Sequence, residues 1–508
     1  MKNRKIALTF ASLGSALLLA ACGEPKSPTA SSVASTNGSE ETSQSSVITE
    51  KTKISFWVNW NDNFKGVVQG FIDNFEAENP DVEVELKKIE GSYDGLLTQT
   101  INGYTGSNDY PDILLAYPDS VQRLITYGIV ANCKPMMEDA TYGWTDEDRD
   151  DFVPAYLEEG ESYPLDGVYS LPLAKSTEAM WYNPKIIGLQ LSGVNGGNAI
   201  TEEYINNLTW EEMMDNLLPA IETYNNSLSD DKKLYQLNAD SKVGLVGYDS
   251  DANFFITLCE QYGYTYTSMN KSTEEGELSF YTDEATRKGM SDLLVKFHDW
   301  NRKRYFFTGS YGGSKGYTNS FTNVDTGLPN ALFAIGSTAG LSHQYSTTYH
   351  PYIAKIPTAA GHDKKVINQG PSVAILRHKN ANQQWDTNRQ MAAWRFIKYM
   401  TNPTNSTNWA IATNYLPLRE STFSTSAWQE YSAMPEDKNT DTFMTASQSH
   451  YAETISDDLF ASPVFTGSST ARTQVGGVVT SALTADTLTA NDVTALLKTA
   501  YENTLKDM

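Results

Sequence analysis

A chain of 508 residues exceeds what one hydrophobic core supports, so at least two domains are expected. Its 62 acidic residues outnumber 38 basic ones, giving a net charge of −24. That balance argues against a nucleic-acid partner, which needs basic patches, and against electrostatic docking on anionic lipid. The 29 Tyr and 10 Trp fill cores or stack on the C–H faces of polyhydroxylated ligands, and composition does not separate the two uses. Cys22, Cys133 and Cys259 form no disulfide framework, and the last two read as buried thiols.

Lys2, Arg4 and Lys5 precede an apolar run from Ile6 to Ala21, short for a permanent span and suited to a secretory signal. It ends Leu19-Ala20-Ala21-Cys22, which resembles the bacterial lipobox. The resemblance implies cleavage after residue 21 and a lipidated Cys22. Residues 23–50 contain 12 Ser or Thr and no aromatic residue. Such a segment buries too little to fold and reads as a disordered tether.

Lys53–Val58 is a strand candidate, and Phe64, Val67, Val68, Phe71, Ile72 and Phe75 recur at helical spacing. Asn79-Pro80 stops that helix before a second strand, Val82–Leu86. Strand, helix and strand within so few residues predict a βαβ unit with parallel pairing. Gly91-Ser92-Tyr93 opens another helix, Asp112–Tyr117 is a third strand, and Pro118-Asp119 starts the helix after it. Ligands of open α/β sheets bind beyond the carboxyl ends of strands, which singles out Trp60, Tyr93 and Asp119.

The stretch Gly167–Pro184 reads as two strand-like runs, Val168–Leu173 and Glu178–Tyr182, around the polar turn Lys175-Ser176-Thr177. Polar groups on buried strands are satisfied locally or face a cleft, so a crossing between lobes with a ligand site at the turn is expected. Lys175 and Glu178 pair with each other across the turn, or one of them faces the ligand. Further on, Trp210–Asn225, Phe254–Tyr262, Ala285–Trp300, Gln390–Thr401 and the run from Val493 to Leu505 predict helices. Val243–Tyr248, Ala331–Ile335, Tyr352–Ile356 and Ser372–Leu376 predict strands.

No zinc-protease, CxxC, Walker A or dinucleotide motif is present. Gly312-Gly313-Ser314-Lys315-Gly316 matches a nucleophile-elbow pattern but lacks the buried strand and helix that chemistry needs. Asp249, Asp251, Asn253 and Glu260 echo a calcium loop, yet Phe254 stands where the turn requires glycine. No metal or cofactor is expected. Gly336-Ser337-Thr338-Ala339-Gly340 leads from a strand towards a possible helix. Its N–H groups and hydroxyls suit an anion, or Ser337 is a plain N-cap.

The lipobox and tether, ISFWVNW, ENPDVEVEL, YPDILLAY, GVYSLPLAKSTEAMWYN, ALFAIGSTAGL and MAAWRFIKYMTNP…NYLPLRE follow one another in a single order. From about residue 53 onwards they resemble the extracellular solute-binding lipoproteins of carbohydrate-type ABC importers (family 1). The likeness is greatest to the subgroup for glycerol 3-phosphate and related glycerophosphodiesters. It implies a two-lobe α/β, periplasmic-binding-protein-like fold of type II with a ligand cleft between lobes. Three hinge crossings are expected near residues 171–178, 350–357 and 412–420. Residues 51–173 with 357–414 would form the N-terminal lobe, and 178–350 with 420–508 the C-terminal lobe, after a signal peptide (1–21) and tether (22–50).

Position by position, the resemblance assigns Tyr93, Ser176, Ser337, Gly370 and Tyr415 to the ligand, with Asn414 in place of the usual glycine. Arg472 matches an arginine expected to grip phosphate; a structural ion pair is the other reading of it. Trp60 adds contact area. The family's paired tryptophans are absent, Tyr248-Asp249-Ser250-Asp251 stands there instead, and the acid near the third strand is Asp119. The polyol end of the site is thus remodelled, and Tyr248 and Asp119 are its candidate residues. The resemblance implies a monomer without chemistry of its own. It would be lipid-anchored on the extracytoplasmic face and capture a small glycerophosphate-like or sugar ligand for ABC permease subunits. A secreted enzyme on carbohydrate or phosphodiester substrates, and a surface adhesin or sensor on the same fold, are the alternatives.

Overall fold

The computed structural model describes residues 51–237, 242–312, 321–322, 328–346 and 349–508. The signal, lipobox and tether, and residues 313–316 of the elbow-like pattern, lie outside the described residues. Among the described residues, fourteen strands run in chain order: β1 (Thr52–Val58), β2 (Val82–Lys88), β3 (Ile113–Ala116), β4 (Leu171–Pro172), β5 (Glu178–Tyr182), β6 (Val246–Tyr248), β7 (Ser268–Asn270), β8 (Glu275–Glu277), β9 (Phe306–Thr308), β10 (Phe333–Ser337), β11 (Tyr352–Ala354), β12 (Val366–Ile367), β13 (Ser372–Ile375) and β14 (Leu459–Phe460). Two five-stranded sheets have the orders β2-β1-β3-β13-β4 and β11-β5-β10-β6-β9. β12 pairs with β14 and β7 with β8 in two small ribbons.

The opening βαβ unit forms as its pattern predicts. Helix α1 (Asp62–Glu78) buries Val68, Phe71, Ile72 and Phe75 on one face, and the Asn61 side chain caps it by accepting from the Phe64 N–H. β1 pairs in parallel with β2 and β3. The sheet is not parallel throughout, because β13 runs antiparallel to both β3 and β4. β5 is likewise antiparallel to β10 and β11 in the second sheet.

Each sheet has its own core. Phe56, Phe75, Trp394, Phe396 and Trp409 belong to the first, and Trp181, Trp210, Phe254, Phe297 and Phe306 to the second. Phe152, Val153 and Tyr156 pack into the second core and Val464 into the first, so the cores interleave in sequence. The chain passes from the first sheet to the second between β4 and β5, and back between β11 and β13. Trp409 in the first core is followed by Leu416 in the second. Cys133 and Cys259 are buried free thiols in different cores.

The helix predicted over Trp210–Asn225 is observed with a wide π-helical turn at Glu212–Leu217 before regular helix Leu218–Ser227. Pro219, which has no N–H to donate, stands at that junction. The helix Ser468–Thr484 was not anticipated. Its Ser, Thr and Gly residues carry little helical propensity, and packing of Ala471, Val475, Val478 and Val479 overrides them.

Candidate functional site

Two cavities with shared lining residues border both cores. A small one of about 140 Å³ is bordered by Tyr117, Asp119, Glu159, Tyr266, Asn368, Gln369, Gly370, Ser468 and Arg472. A larger one of about 610 Å³ shares Tyr117, Asp119, Ser468 and Arg472 and adds Tyr93, Gln122 and Arg123. Residues of both cores contribute, Leu97 from the first and Tyr266 and Phe465 from the second, and Tyr117 directly follows β3, as expected for a crevice at strand ends.

Local sequence positions the first wall. Pro118 sits in the first turn of α3 (Pro118–Thr126), where its missing N–H costs nothing, and fixes the turn that carries Tyr117 and Asp119. Ser92 caps α2 (Tyr93–Asn102) by accepting from the Gly95 N–H, which sets Tyr93 at the helix start. Tyr93 meets Tyr117 edge to face, with ring centroids 4.8 Å apart. On the opposite wall, Gly467 at φ 97° opens the helix Ser468–Thr484, and the Ser468 hydroxyl donates to Asp119 Oδ1 across the gap. Val464 N–H donates to the Ser162 carbonyl at 2.9 Å.

Arg472 lies one helical turn beyond Ser468. Its guanidinium donates to Asn253 Oδ1, and among the described residues it makes no ion pair. This favours a ligand-facing reading over the structural ion pair. Its charge reaches Tyr117, whose hydroxyl burial otherwise pushes above the usual phenol range with help from Glu159. Burial, with the Tyr415 and Tyr117 phenols, raises Tyr93 as well. Burial and Tyr117 push Tyr415 up to about 12. The three phenols are therefore neutral hydrogen-bonding groups at ordinary pH.

Three buried polar atoms on the small cavity have no hydrogen-bond partner among the described residues: Tyr266 Oη, Asn368 Oδ1 and Gln369 Nε2. Gln122 Oε1 on the larger cavity is a fourth. Buried polar atoms are nearly always paired, so this concentration marks a place that polar atoms of a ligand or water complete.

Of the residues singled out from sequence, Tyr93, Asp119, Gly370 and Arg472 border these cavities. Ser176 is buried one step away. Its backbone exchanges hydrogen bonds with Gln369 at 3.0 and 2.9 Å, and it accepts from Ser337 Oγ at 3.3 Å. Trp60 and Tyr415 stand in an aromatic cluster, each packed on Trp409 at 5.0 and 6.0 Å, rather than on the cavity walls. Tyr248 is fully buried in the second core and donates to Glu178.

Contacts decide several alternatives that the sequence leaves open. Lys175 and Glu178 do not pair: Lys175 binds Glu159, while Glu178 accepts from Tyr248 and from Asn253 Nδ2. At the Gly336–Gly340 turn, Ser337 Oγ accepts from the Ala339 N–H at 3.3 Å and the Thr338 N–H donates to the Thr177 carbonyl at 2.8 Å. The donors offered to an anion are used locally, and the N-cap reading holds. Asp251 accepts from Thr308 Oγ1 at 2.6 Å within the fold, and no metal cluster occurs among the described residues.

Tyr117, Glu159, Tyr266, Asn368, Gln369 and Ser468 were not anticipated. Asn368-Gln369-Gly370 directly before a β-strand was the available signal, since two amides at a glycine turn are out of place in a core.

The chain belongs to the bacterial extracellular solute-binding proteins: the model of that family matches residues 70–436. Among solved structures it is similar to the sugar-binding protein MalE from the phytopathogen Xanthomonas citri (TM-score 0.63, 13% identity, 90% of this chain and 98% of that one). It is similar to the cyclic alpha-maltosyl-1,6-maltose binding protein from Arthrobacter globiformis (0.62, 16%, 90% and 100%). It is also similar to UgpB from Mycobacterium tuberculosis, solved in complex with glycerophosphocholine (0.59, 17%, 90% and 98%). These likenesses establish the fold as the type II periplasmic-binding-protein fold. The comparison with curated proteins gives no match. Among the described residues no helix is long and apolar enough to cross a membrane.

Proposed function

We propose that this protein is the substrate-binding component of an ABC importer, and that it captures a glycerophosphate-like ligand or a carbohydrate without transforming it. The observation that carries the reading is Arg472. Among the described residues it lies at the cavity without an ion-pair partner, beside three buried polar atoms without hydrogen bonds. A guanidinium so placed suits the oxygens of a phosphate, and the unpaired amide and phenol groups suit hydroxyls. The solved relatives named above, which include sugar binders and a glycerophosphocholine complex, support the ligand class.

Capture would proceed by closure of two lobes about the crossings near 171–178, 350–357 and 412–420, with delivery to membrane permease subunits. The lobes are read as residues 51–173 with 357–414, and 178–350 with 420–508. Tyr93, Asp119, Gly370 and Arg472 would touch the ligand, with Ser176 and Ser337 behind them and Trp60 and Tyr415 supporting Tyr93. A lipid on Cys22 would hold the monomer at the outer membrane face. Metabolic labelling with an alkyne-palmitate analogue tests the anchor, and Cys22→Ser is expected to abolish the label.

Calorimetry of the purified protein against glycerol 3-phosphate, glycerophosphocholine and neutral maltodextrins tests the ligand. Binding of the phosphate compounds is expected. Binding of the neutral sugars alone would remove the phosphate assignment and leave a sugar importer.

A further inference from the structure

The contacts behind Arg472 carry a more specific conclusion, which rests on reading Arg472 as a ligand-facing group. Its guanidinium donates to Asn253 Oδ1, and Asn253 Nδ2 donates to Glu178 Oε1 at 2.9 Å. The Tyr248 hydroxyl donates to Glu178 Oε2, and Asn253, Tyr248 and Glu178 are all buried. We propose that Asn253, oriented by Glu178, is a positioning residue that aims Arg472 into the cavity while leaving its positive charge un-neutralised.

The chemistry at each end selects one arrangement. Guanidinium has only donors, so it requires the amide oxygen; Glu178 Oε1 accepts, so it requires the amide nitrogen. Only one flip of Asn253 meets both demands. Protonation of Glu178 at Oε2 preserves it, because the Tyr248 hydroxyl can accept there instead of donating. The backbone fixes the amide as well: Asn253 lies in the first turn of the helix Asp251–Gln261, and its N–H donates to the capping Ser250 Oγ at 3.2 Å. A carboxylate at position 253 would hold Arg472 more strongly but would pair with it, and an incoming anion would then compete with that pair. The amide holds the fork and leaves its charge to the ligand.

The test is nuclear magnetic resonance of ligand-free protein labelled with 15N-arginine, with Arg472 signals identified by Arg472→Lys. Hindered rotation is expected to give resolved guanidinium Hη signals in the wild type. Asn253→Leu should collapse them and Asn253→Asp should keep them. Both variants should weaken glycerol 3-phosphate binding by about tenfold, one through a loose fork and the other through a neutralised one. Arg472 signals in Asn253→Leu identical to wild type would overturn the positioning role, whether or not glycerol 3-phosphate binds. Undiminished affinity in Asn253→Asp would overturn the claim about charge. Collapsed signals in Asn253→Leu with wild-type affinity would uphold the positioning and remove Arg472 from the ligand site instead.

Discussion

The ammonium of Lys175 and the carboxylate of Glu159 meet in the interior, with 0% and 6% of their side chains exposed. Glu159 Oε1 also accepts from Ser372 Oγ at 2.8 Å and Oε2 from Asn368 Nδ2 at 2.9 Å, while Lys175 donates to the Gly370 carbonyl at 3.3 Å. One ion pair thus joins the helix Pro154–Glu161, the β4–β5 crossing and the approach to β13. Burial favours the neutral amine of Lys175, and Glu159 opposes it.

Removing one partner strands the other. Glu159→Ala leaves a buried ammonium without its counter-ion and is expected to cost about 3–5 kcal/mol of stability. The double replacement Lys175→Met with Glu159→Leu removes both charges and should cost less than Glu159→Ala alone. Urea denaturation of the three proteins measures this. A double variant less stable than the single one would show that the pair matters through its wider hydrogen bonds, not its charges.

Gly370 allows no side chain. Its φ of 93° is one that L-residues rarely adopt, and a Cβ there would lie 2.1 Å from the Ala174 carbonyl oxygen. Gly370→Ala must move the crossing strand away from the approach to β13. A loss of about 1–3 kcal/mol is expected from the backbone strain alone, read from the urea midpoint. Gly361→Ala is the control: φ is 77° there, but no atom of the described residues lies within 4 Å of the added Cβ. Equal losses at the two positions would mean that the contact with Ala174 contributes nothing.

The elements that the sequence made legible are those with strong local signals. The apolar face of α1, the Asn79-Pro80 stop and the Pro118 start fall where the residues place them, because each is decided within one or two turns. The ordered blocks pointed to the fold. The site was legible only where a residue is conspicuous alone: Arg472, Asp119 after a proline, Tyr93 after a glycine turn. Glu159 and Tyr266 were invisible, since their role comes from non-local packing of a helix and a loop onto the same cavity. For the same reason Lys175 and Glu178, three residues apart, find partners 16 and 70 residues away.

Glu178 makes stability depend on pH. Its carboxyl is pushed up to about 7 from an ordinary 4.5, chiefly by burial. The hydrogen bonds from Tyr248 and Asn253 and the charge of Arg472 oppose the rise, and Asp249 adds to it. Tyr451, which donates to the Glu178 carbonyl, also faces it. The folded chain therefore holds a proton that the unfolded chain releases between these values. Its contribution is full below about pH 4.5, is lost as pH rises through about 7, and stays lost above. Glu178→Gln lacks this titration, so relative to it the wild type should lose on the order of 3 kcal/mol across the window. Denaturation of both proteins at about pH 5 and about pH 8 measures the difference. A difference independent of pH would mean that Glu178 titrates no higher folded than unfolded.

Arg472 decides between ligand classes. Arg472→Ala should cost an anionic ligand about 2–5 kcal/mol, the range for truncating one partner of a buried charge pair, and should cost a neutral maltodextrin much less. Arg472→Lys keeps the charge but loses the planar fork and its fixed donors, so it should recover only part of the loss. The Lys variant separates two explanations that the Ala variant merges. If charge alone attracts the ligand, Lys restores most of the affinity, and the residual dependence on salt stays as in the wild type. If the fork orients the phosphate, Lys restores little. Calorimetry at two salt concentrations reads both quantities. Affinity for glycerol 3-phosphate unchanged in Arg472→Ala would take this side chain out of the site, leaving the unpaired groups of Tyr266, Asn368 and Gln369 to define a ligand without a charged head.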